Sequence, residues 1–478
     1  MKRSGALPNR ITTLIGILSI GGSTLFAEPS VQEVEQALER AVTYFSESVA
    51  VEGGYVYFYS PDLSRRLGEG AARETEIWVQ PPGTPTVGEA LLEAWLATGD
   101  PGFRDAALAA GKALVYGQLE SGGWRNSIEF DPAGPRVDQY RNGKGRGKNY
   151  STLDDEISQA ALKFLVRLDH ALESQVPEIK DAVAYGLDRF LQAQFANGAF
   201  PQVWLGPVPA VTPAKANYPE YDWRTEGRIK EYWDQYTLND GVAGSVTDLL
   251  RTAHQLAGDD RCLEALRKLG GFLIDAQMPE PQPAWAQQYN QQMQPIWARA
   301  FEPPAISGRE SEDAMIALLK IAEHTGDKKY LEPIVPAVKY LESSLLPDGR
   351  LARYYELQSN RPLYMERSGK VYSLTHDDSN LPSHYGWKNE TQLETIKNGY
   401  RAVVAGQPLA GVLESASPPG EIEEIADSLD DQGRWISRYE GELLIGQAKF
   451  AVGDLYLSSE VFADNVVALS RWLVAKKR

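Results

Sequence analysis

The chain reads as all-α: an (α/α) toroid of about five to six helix pairs with long rim loops. Three observations predict this. Short glycine-aromatic loops recur at Gly53-Gly54-Tyr55, Gly122-Gly123-Trp124, Gly198-Ala199-Phe200, Asp348-Gly349-Arg350-Leu351 and Gln432-Gly433-Arg434-Trp435, with a degenerate one near Trp285. Their mean spacing is about 76 residues, too long for an open solenoid, whose units run to roughly 34–47 residues. Finally, apolar stripes of helical period dominate, and alternating β-branched runs are scarce.

In chain order, Lys2, Arg3 and Arg10 precede an apolar stretch from Ile11 to Ile20 and a small residue, Ala27. Residues 1–27 therefore read as a secretion signal, and 28–478 as a single toroidal catalytic domain outside the cytoplasm, secreted or periplasmic. The first clear unit carries Ala90, Leu91, Ala94 and Trp95 at helical spacing, stopped by Gly99-Asp100-Pro101. Glycine suits the left-handed C′ position, Asp caps the next helix, and Pro fits its first turn. The same stop is expected at Gly258-Asp259, Gly326-Asp327 and Gly453-Asp454. Matching stripes run through Ile157, Ala161, Phe164 and Leu168, through Val242, Val246, Leu249, Ala253 and Leu256, and through Ala314, Leu318 and Ile321. All the glycine-aromatic loops follow the second helix of a pair, so they share one rim, where a groove is expected. Two segments break the rhythm: an aromatic-rich insertion at 203–236 and a polar, irregular stretch at 351–400.

The formal charge of −17 disfavours nucleic acid and anionic membrane as partners. Cys262 is the only cysteine, so no internal disulfide and no cysteine metal site can form. The chain is expected to be monomeric and free of the membrane after signal removal. With 11 Trp and 23 Tyr, some aromatics can stack on sugars, although most should be core. Trp124, Phe200 and Tyr355 are the candidates for sugar contact.

Arginines concentrate at Arg353, Arg361 and Arg367 in an otherwise acidic chain. The planar guanidinium fork suits carboxylates, here either a uronic acid or the nearby Glu356 and Glu366. A second group, Arg299 and Glu302, lies within Trp297-Ala298-Arg299-Ala300-Phe301-Glu302-Pro303-Pro304. Glu302 is placed either to pair with Arg299 or to ligate a metal. Two acidic helix starts, Thr152-Leu153-Asp154-Asp155 and Thr237-Leu238-Asn239-Asp240-Gly241, resemble each other. They are either ordinary N-caps or, together on one rim, oxygen ligands for Ca²⁺.

The combination of Gly-Ala-Phe-Pro-Gln at 198–202, Leu-Asn-Asp-Gly at 238–241, the 297–304 phrase and Arg-Tyr-Tyr-Glu-Leu through Asn-Arg-Pro at 353–362 resembles polysaccharide lyase family 10. These are pectate lyases built on an α/α toroid. The resemblance implies Ca²⁺-assisted anti β-elimination on polygalacturonate. It implies Arg367 as the base, with Arg299, Arg353, Arg361, Asp154, Trp124, Phe200 and Tyr355 binding substrate. It further implies Asp154 and Asp240 as acidic positions of the substrate and calcium region, and Asp155 and Glu302 are the other candidate metal ligands. The chain departs from the family pattern at Ala199-Phe200, at Asp155, at the Trp285 loop and in the length of the 203–236 insertion. Two other readings stay open: a toroidal glycoside hydrolase on uronic oligosaccharides, and a pectin-binding protein without turnover. The hydrolase would need two carboxylates roughly 5–9.5 Å apart.

Overall fold

The computed structural model describes residues 29–141, 149–413, 419–448 and 450–477, so the expected signal at 1–27 lies outside the described residues. The helices are α1 Val31–Tyr44, α2 Thr84–Thr98, α3 Pro101–Tyr116, α4 Ile157–Ala171, α5 Pro177–Gln192, α6 Val242–Ala257, α7 Asp260–Asp275, α8 Gly308–Thr325, α9 Ile334–Ser343, α10 Leu393–Val404, α11 Ala410–Leu413, α12 Pro419–Asp427 and α13 Ser459–Lys477. The inner ring runs α2, α4, α6, α8, α10 and α13, and α13 returns to pack along α2. α3, α5, α7, α9, α12 and α1 lie outside it. None of these helices is long and apolar enough to cross a membrane.

The expected stripes are the buried faces. Ile157, Ala161, Phe164 and Leu168 of α4, Val242, Val246, Leu249 and Ala253 of α6, and Ala314, Leu318 and Ile321 of α8 are all core; Leu256 is only half-buried. The Gly-Asp stops behave as the sequence predicts at three places. Gly99, Gly258 and Gly326 end their helices in the left-handed region, and Asp100, Asp259 and Asp327 each accept an amide of the next turn. Gly453-Asp454 is the exception. It forms a turn between the antiparallel strands Ile436–Arg438 and Leu455–Ser458, and no α-helix lies between those strands among the described residues. That hairpin also pairs with Phe58–Tyr59, which joins the end of the chain to its beginning.

Four of the five glycine-aromatic loops are the same tight turn. Gly122 N–H donates to the Leu119 carbonyl, Gly198 to Phe195, Gly349 to Leu346 and Gly433 to Asp430, at 2.8–3.0 Å. At Gly122, Gly198 and Gly433 the positive-φ glycine presses on an outer helix of the neighbouring pair, whereas Gly349 meets no neighbour within 4 Å. A Cβ at Gly198 would collide with the Lys268 carbonyl of α7, and one at Gly433 with the Arg40 carbonyl of α1. These three glycines lock neighbouring pairs at this rim, and the last pair is locked to the first.

The aromatic that follows turns inward. The indole N–H groups of Trp124, Trp285 and Trp435 donate to Leu114, Leu273 and Ile425, carbonyls near the ends of their own outer helices, at 2.8, 2.7 and 2.9 Å. The same aromatics hold the start of the next inner helix. The Trp124 carbonyl accepts Thr152 N–H, that of Phe200 accepts Thr237, and that of Trp285 accepts Ser307, at 3.1, 3.0 and 2.8 Å. The N-termini of α4, α6 and α8 thus converge on the glycine-aromatic rim, where their dipoles favour anions. Between the inner helices lies a polar cavity of about 860 Å³, which reaches Asp240 and Arg309 at this rim.

The irregular stretch at 351–400 contains a regular element that the sequence pattern hides. Pro362–Ser368 and Val371–Thr375 form an antiparallel hairpin turned at Gly369. It extends through Tyr354–Tyr355 to Ile306–Ser307, which ties it to the start of α8.

Candidate metal and substrate site

The two acidic helix starts have one backbone shape. Thr152 and Thr237 accept the amides of Asp154 and Asn239 through Oγ1, at 3.0 and 3.1 Å. Leu153 and Leu238 are buried plugs whose amides bond the Gln202 and Gln287 carbonyls. The next residues enter the left-handed region: Asp155 at φ 46° and Asp240 at φ 54°. Such a conformation costs a non-glycine residue about 1–3 kcal/mol and is tolerated best by Asp and Asn. These aspartates are not N-caps; Glu156 and Gly241 occupy the cap positions, and neither makes a side-chain cap bond. Position by position, Asp155 is the counterpart of Asp240, and Asp154 of Asn239.

The two turns bring Asp154, Asp155 and Asp240 together, one oxygen from each lying within 4.8 Å of the others. Gln202 donates to Asp154 at 2.8 Å, Gln80 to Asp155 at 2.9 Å and Asn239 to Asp240 at 2.6 Å. Arg299 approaches Asp240 at 3.7 Å and Arg309 approaches it at 3.8 Å. Burial opposes ionisation of Asp240, but Arg299, Arg309 and Arg353 outweigh it and hold its carboxyl below the usual range. Burial, with Asp240 and then Asp155 beside it, drives the Asp154 carboxyl well up. Burial, Asp240 and Glu69 push Asp155 up to about 7.

This donor set fits a hard cation. Three carboxylates converge, and the buried Gln202 Oε1 and Asn239 Oδ1 have no hydrogen-bond partner among the described residues. An all-oxygen group of mixed charge is what Ca²⁺ takes. Glu302 stands apart from that group. Its Oε1 lies 2.6 Å from Arg299 Nη2 and accepts the Tyr385 hydroxyl at 3.0 Å, so it is committed to an ion pair rather than to the aspartate cluster.

The other expected residues divide by exposure. Arg299 keeps a quarter of its side chain accessible, and its Nε has no hydrogen-bond partner among the described residues. Arg353 does not face the solvent. It is 1% exposed, paired with Glu310 at 2.8 Å and packed against the Tyr385 ring. Its charge reaches the site only through Asp240. Trp124, Phe200 and Tyr355 are each at most 1% exposed and present no ring face to a sugar. Trp124 pins α3, Phe200 stacks on Phe190, and the Tyr355 hydroxyl donates to the Ser344 carbonyl at 2.6 Å. Arg361 is exposed in the turn before the hairpin, where its carbonyl accepts Glu356 N–H.

Arg367 is exposed on the hairpin, with Nε donating to the Gly369 carbonyl at 2.8 Å. Its guanidinium lies 5.4 Å from the Tyr372 ring, which packs on Phe301 at 5.3 Å, and Phe301 lies the same distance from the Arg299 guanidinium. His384 joins this wall through Tyr372 and Phe301. Burial first, then Arg367 and Arg299, lower its pKa, so both arginines act on one imidazole.

Sequence reasoning missed Arg309, Gln80, Tyr385 and Tyr232. Arg309 carried a usable signal: a cation in the first turn of a helix opposes the dipole and needs an anion opposite, here Asp240.

Residues 118–350 match the family model for pectic acid lyase. That segment includes Asp154, Asp155, Asp240, Arg299 and Glu302 and ends before Arg353, Arg361 and Arg367. No curated protein matches the chain. Among solved structures, a family 10 polysaccharide lyase from Cellvibrio cellulosa is 19% identical, with a TM-score of 0.47 over 68% of this chain and 97% of that one. A mutant family 10 lyase from the same organism, in complex with trigalacturonic acid, gives 18% identity and a TM-score of 0.47 over 67% and 98%. A cellobiose 2-epimerase from Bacillus thermoamylovorans is 12% identical, with a TM-score of 0.45 over 92% and 99%. The stretch holding the acidic cluster and Arg299 is thus similar to the pectic acid lyases, in line with the motifs at 198–202, 238–241 and 297–304.

Proposed function

We propose that the protein is a secreted or periplasmic pectate lyase that cleaves polygalacturonate by β-elimination with Ca²⁺ as cofactor. The observation that carries this is the juxtaposition of an oxygen-rich acidic cluster with Arg299, a quarter of whose side chain is accessible. Asp154, Asp155 and Asp240 would hold the cation. When bound, it would supply positive charge to the uronate carboxylate and so make the adjacent C5 proton more acidic.

The chain's own residues have separable roles in this reading. Arg299 binds the substrate carboxylate, and Glu302 and Tyr385 fix its orientation. Arg353, buried with Glu310, keeps Asp240 ionised from behind. Arg367 takes the C5 proton as the C4–O bond breaks and the C4–C5 double bond forms. The departing oxygen then gains a proton from solvent. Support for Arg367 is its exposure and its partnership with a backbone carbonyl rather than a carboxylate. A guanidinium must lose a proton before it can act as a base, with an ordinary pKa above ~12, so the reaction is expected to favour alkaline conditions. The hydrolase reading fares worse. All three aspartates crowd within 4.8 Å, and Asp154 shares a hydrogen bond with Asp240, which leaves no gap of roughly 5 Å or more between them for a sugar ring, while Glu302, the other candidate, is engaged by Arg299 and Tyr385.

The test is ultraviolet absorbance of the unsaturated product on polygalacturonate, from neutral to alkaline pH, with Ca²⁺ and with chelator. A rise that needs Ca²⁺ is expected; no rise under any condition overturns the reading. Arg367→Lys should lower kcat by about 10³-fold while binding persists, in the range of a lost general base. Full activity in that variant would remove Arg367 from the role.

A further inference from the structure

The insertion between Trp204 and Tyr236 is a strap across the glycine-aromatic rim. It is fastened in turn to α7, by Ala216 N–H to the Asp275 carbonyl at 2.7 Å, and to the next loop, by Asn217 N–H to Met293 at 3.0 Å. Further along, Trp297 Nε1 donates to the Trp223 carbonyl at 2.7 Å, and Arg224 pairs with Glu356 at the same distance. The strap then runs parallel to the 297–302 segment, with Arg228 bridged to Trp297. This brings Tyr232 beside the site, where the charges of Arg299, Glu302, Asp154 and Asp240 all act on its hydroxyl.

Two side chains on this run have no structural employment. Arg228 lies flat over the Trp297 ring, 3.8 Å from its centroid, and is exposed on its other side. No carboxylate partner faces it among the described residues, unlike Arg224, Arg299 and Arg353. Trp233, 38% exposed, stands edge-on to Tyr232. A preoriented guanidinium without an acid is a carboxylate receptor, and an exposed indole five residues further along is an apolar platform. From Arg228 to Trp233 the chain spans at most about 18 Å, the scale of a short saccharide.

We infer that the strap forms an additional uronate-saccharide subsite, with Arg228 taking a carboxylate and Trp233 stacking on a sugar ring. This rests on the polygalacturonate reading and extends it: the strap fixes preference for a longer, unesterified chain. Neither residue takes part in the elimination itself.

Calorimetric titration with oligogalacturonates in the presence of chelator, where turnover is suppressed, tests it. Arg228→Ala should weaken binding about tenfold and reduce its salt dependence, with partial recovery in Arg228→Lys. Trp233→Ala should weaken binding about fivefold and leave the salt dependence unchanged. A methyl-esterified oligomer should be insensitive to Arg228→Ala yet sensitive to Trp233→Ala. Wild-type affinity in both alanine variants, or no binding of any oligomer to the wild type, overturns the subsite. Failure of the lyase reading has a different signature, since the wild type would then bind oligomer and yield no unsaturated product when Ca²⁺ is restored.

Discussion

The entries to α4 and α6 are the same turn in the same conformation, yet the pKa values of their equivalent aspartates are shifted in opposite directions. Asp240 is held ionised; Asp155 is pushed up to about 7. Both are buried, so burial does not separate them. What differs is the facing charge: three arginines act on Asp240, whereas Asp155 has Gln80 and Glu69 nearby. A repeated fold supplies repeated positions, and the neighbours donated by the next repeat decide their chemistry. Here α8 and the 297–302 segment bring Arg309 and Arg299 within 4 Å of Asp240, while Arg299 acts on Asp154 and Asp155 too weakly to offset their burial.

The sharpest way to break this asymmetry is to remove its main source. Arg299→Ala should strip Asp240 of its nearest cation and the substrate of its carboxylate partner. We expect kcat/KM on polygalacturonate to fall by about 10³-fold, or ~4 kcal/mol. A loss under tenfold would mean that Arg299 braces the turn and little more.

Next in size is the contrast between the aspartates themselves. Asp240→Asn should lower Ca²⁺ affinity by about 10²-fold and strand Arg299 and Arg309 beside a neutral group. Asp155→Asn, measured near pH 7, should cost only about tenfold, because the Asp155 carboxyl is already partly protonated there. Equal losses in calcium calorimetry would erase the distinction.

The smallest effect isolates burial from charge. Glu312 on α8 is buried with no arginine opposite, and it accepts the Thr391 hydroxyl and the Gln392 amide at the start of α10. Burial pushes its pKa from 4.5 to about 7. The unfolded chain gives up this proton near pH 4.5 and the folded chain near 7, so stability is lost as pH rises between them. Glu312→Gln keeps an acceptor and should be more stable than the wild type above pH 7, by at most about 3 kcal/mol, and equal to it below pH 4.5. Urea unfolding at both ends of that window checks it, and a difference that does not change with pH would refute the cause.

The ring and much of the site were legible in the sequence because both follow from local rules. The loop glycines and the Gly-Asp stops mark turns by backbone requirement, and the likeness of the two Thr-Leu turns survives in space. What was hidden depends on long-range partners. Nothing in a Gly-Gly-Trp loop says whether the indole faces water; Trp124 turns in because a carbonyl of α3 awaits it. Arg353 looks like a ligand receptor until Glu310, 43 residues earlier, takes it. Gly453-Asp454 has the letters of a helix stop, but the strand it follows pairs with the far end of the chain.

The bond from an aromatic carbonyl to the entry of the next inner helix has an evolutionary consequence. Phe200 and Thr237 meet at 3.0 Å, so the whole strap between them leaves and returns at one closed gate. The segments from Trp124 to Thr152 and from Trp285 to Ser307 do the same. Such an excursion can lengthen or shorten at little entropic cost, since closure rises only slowly with loop length. The ring below would not register the change. Substrate range in this architecture can therefore be rewritten one gate at a time, with the aspartates on the inner side of each gate left in place.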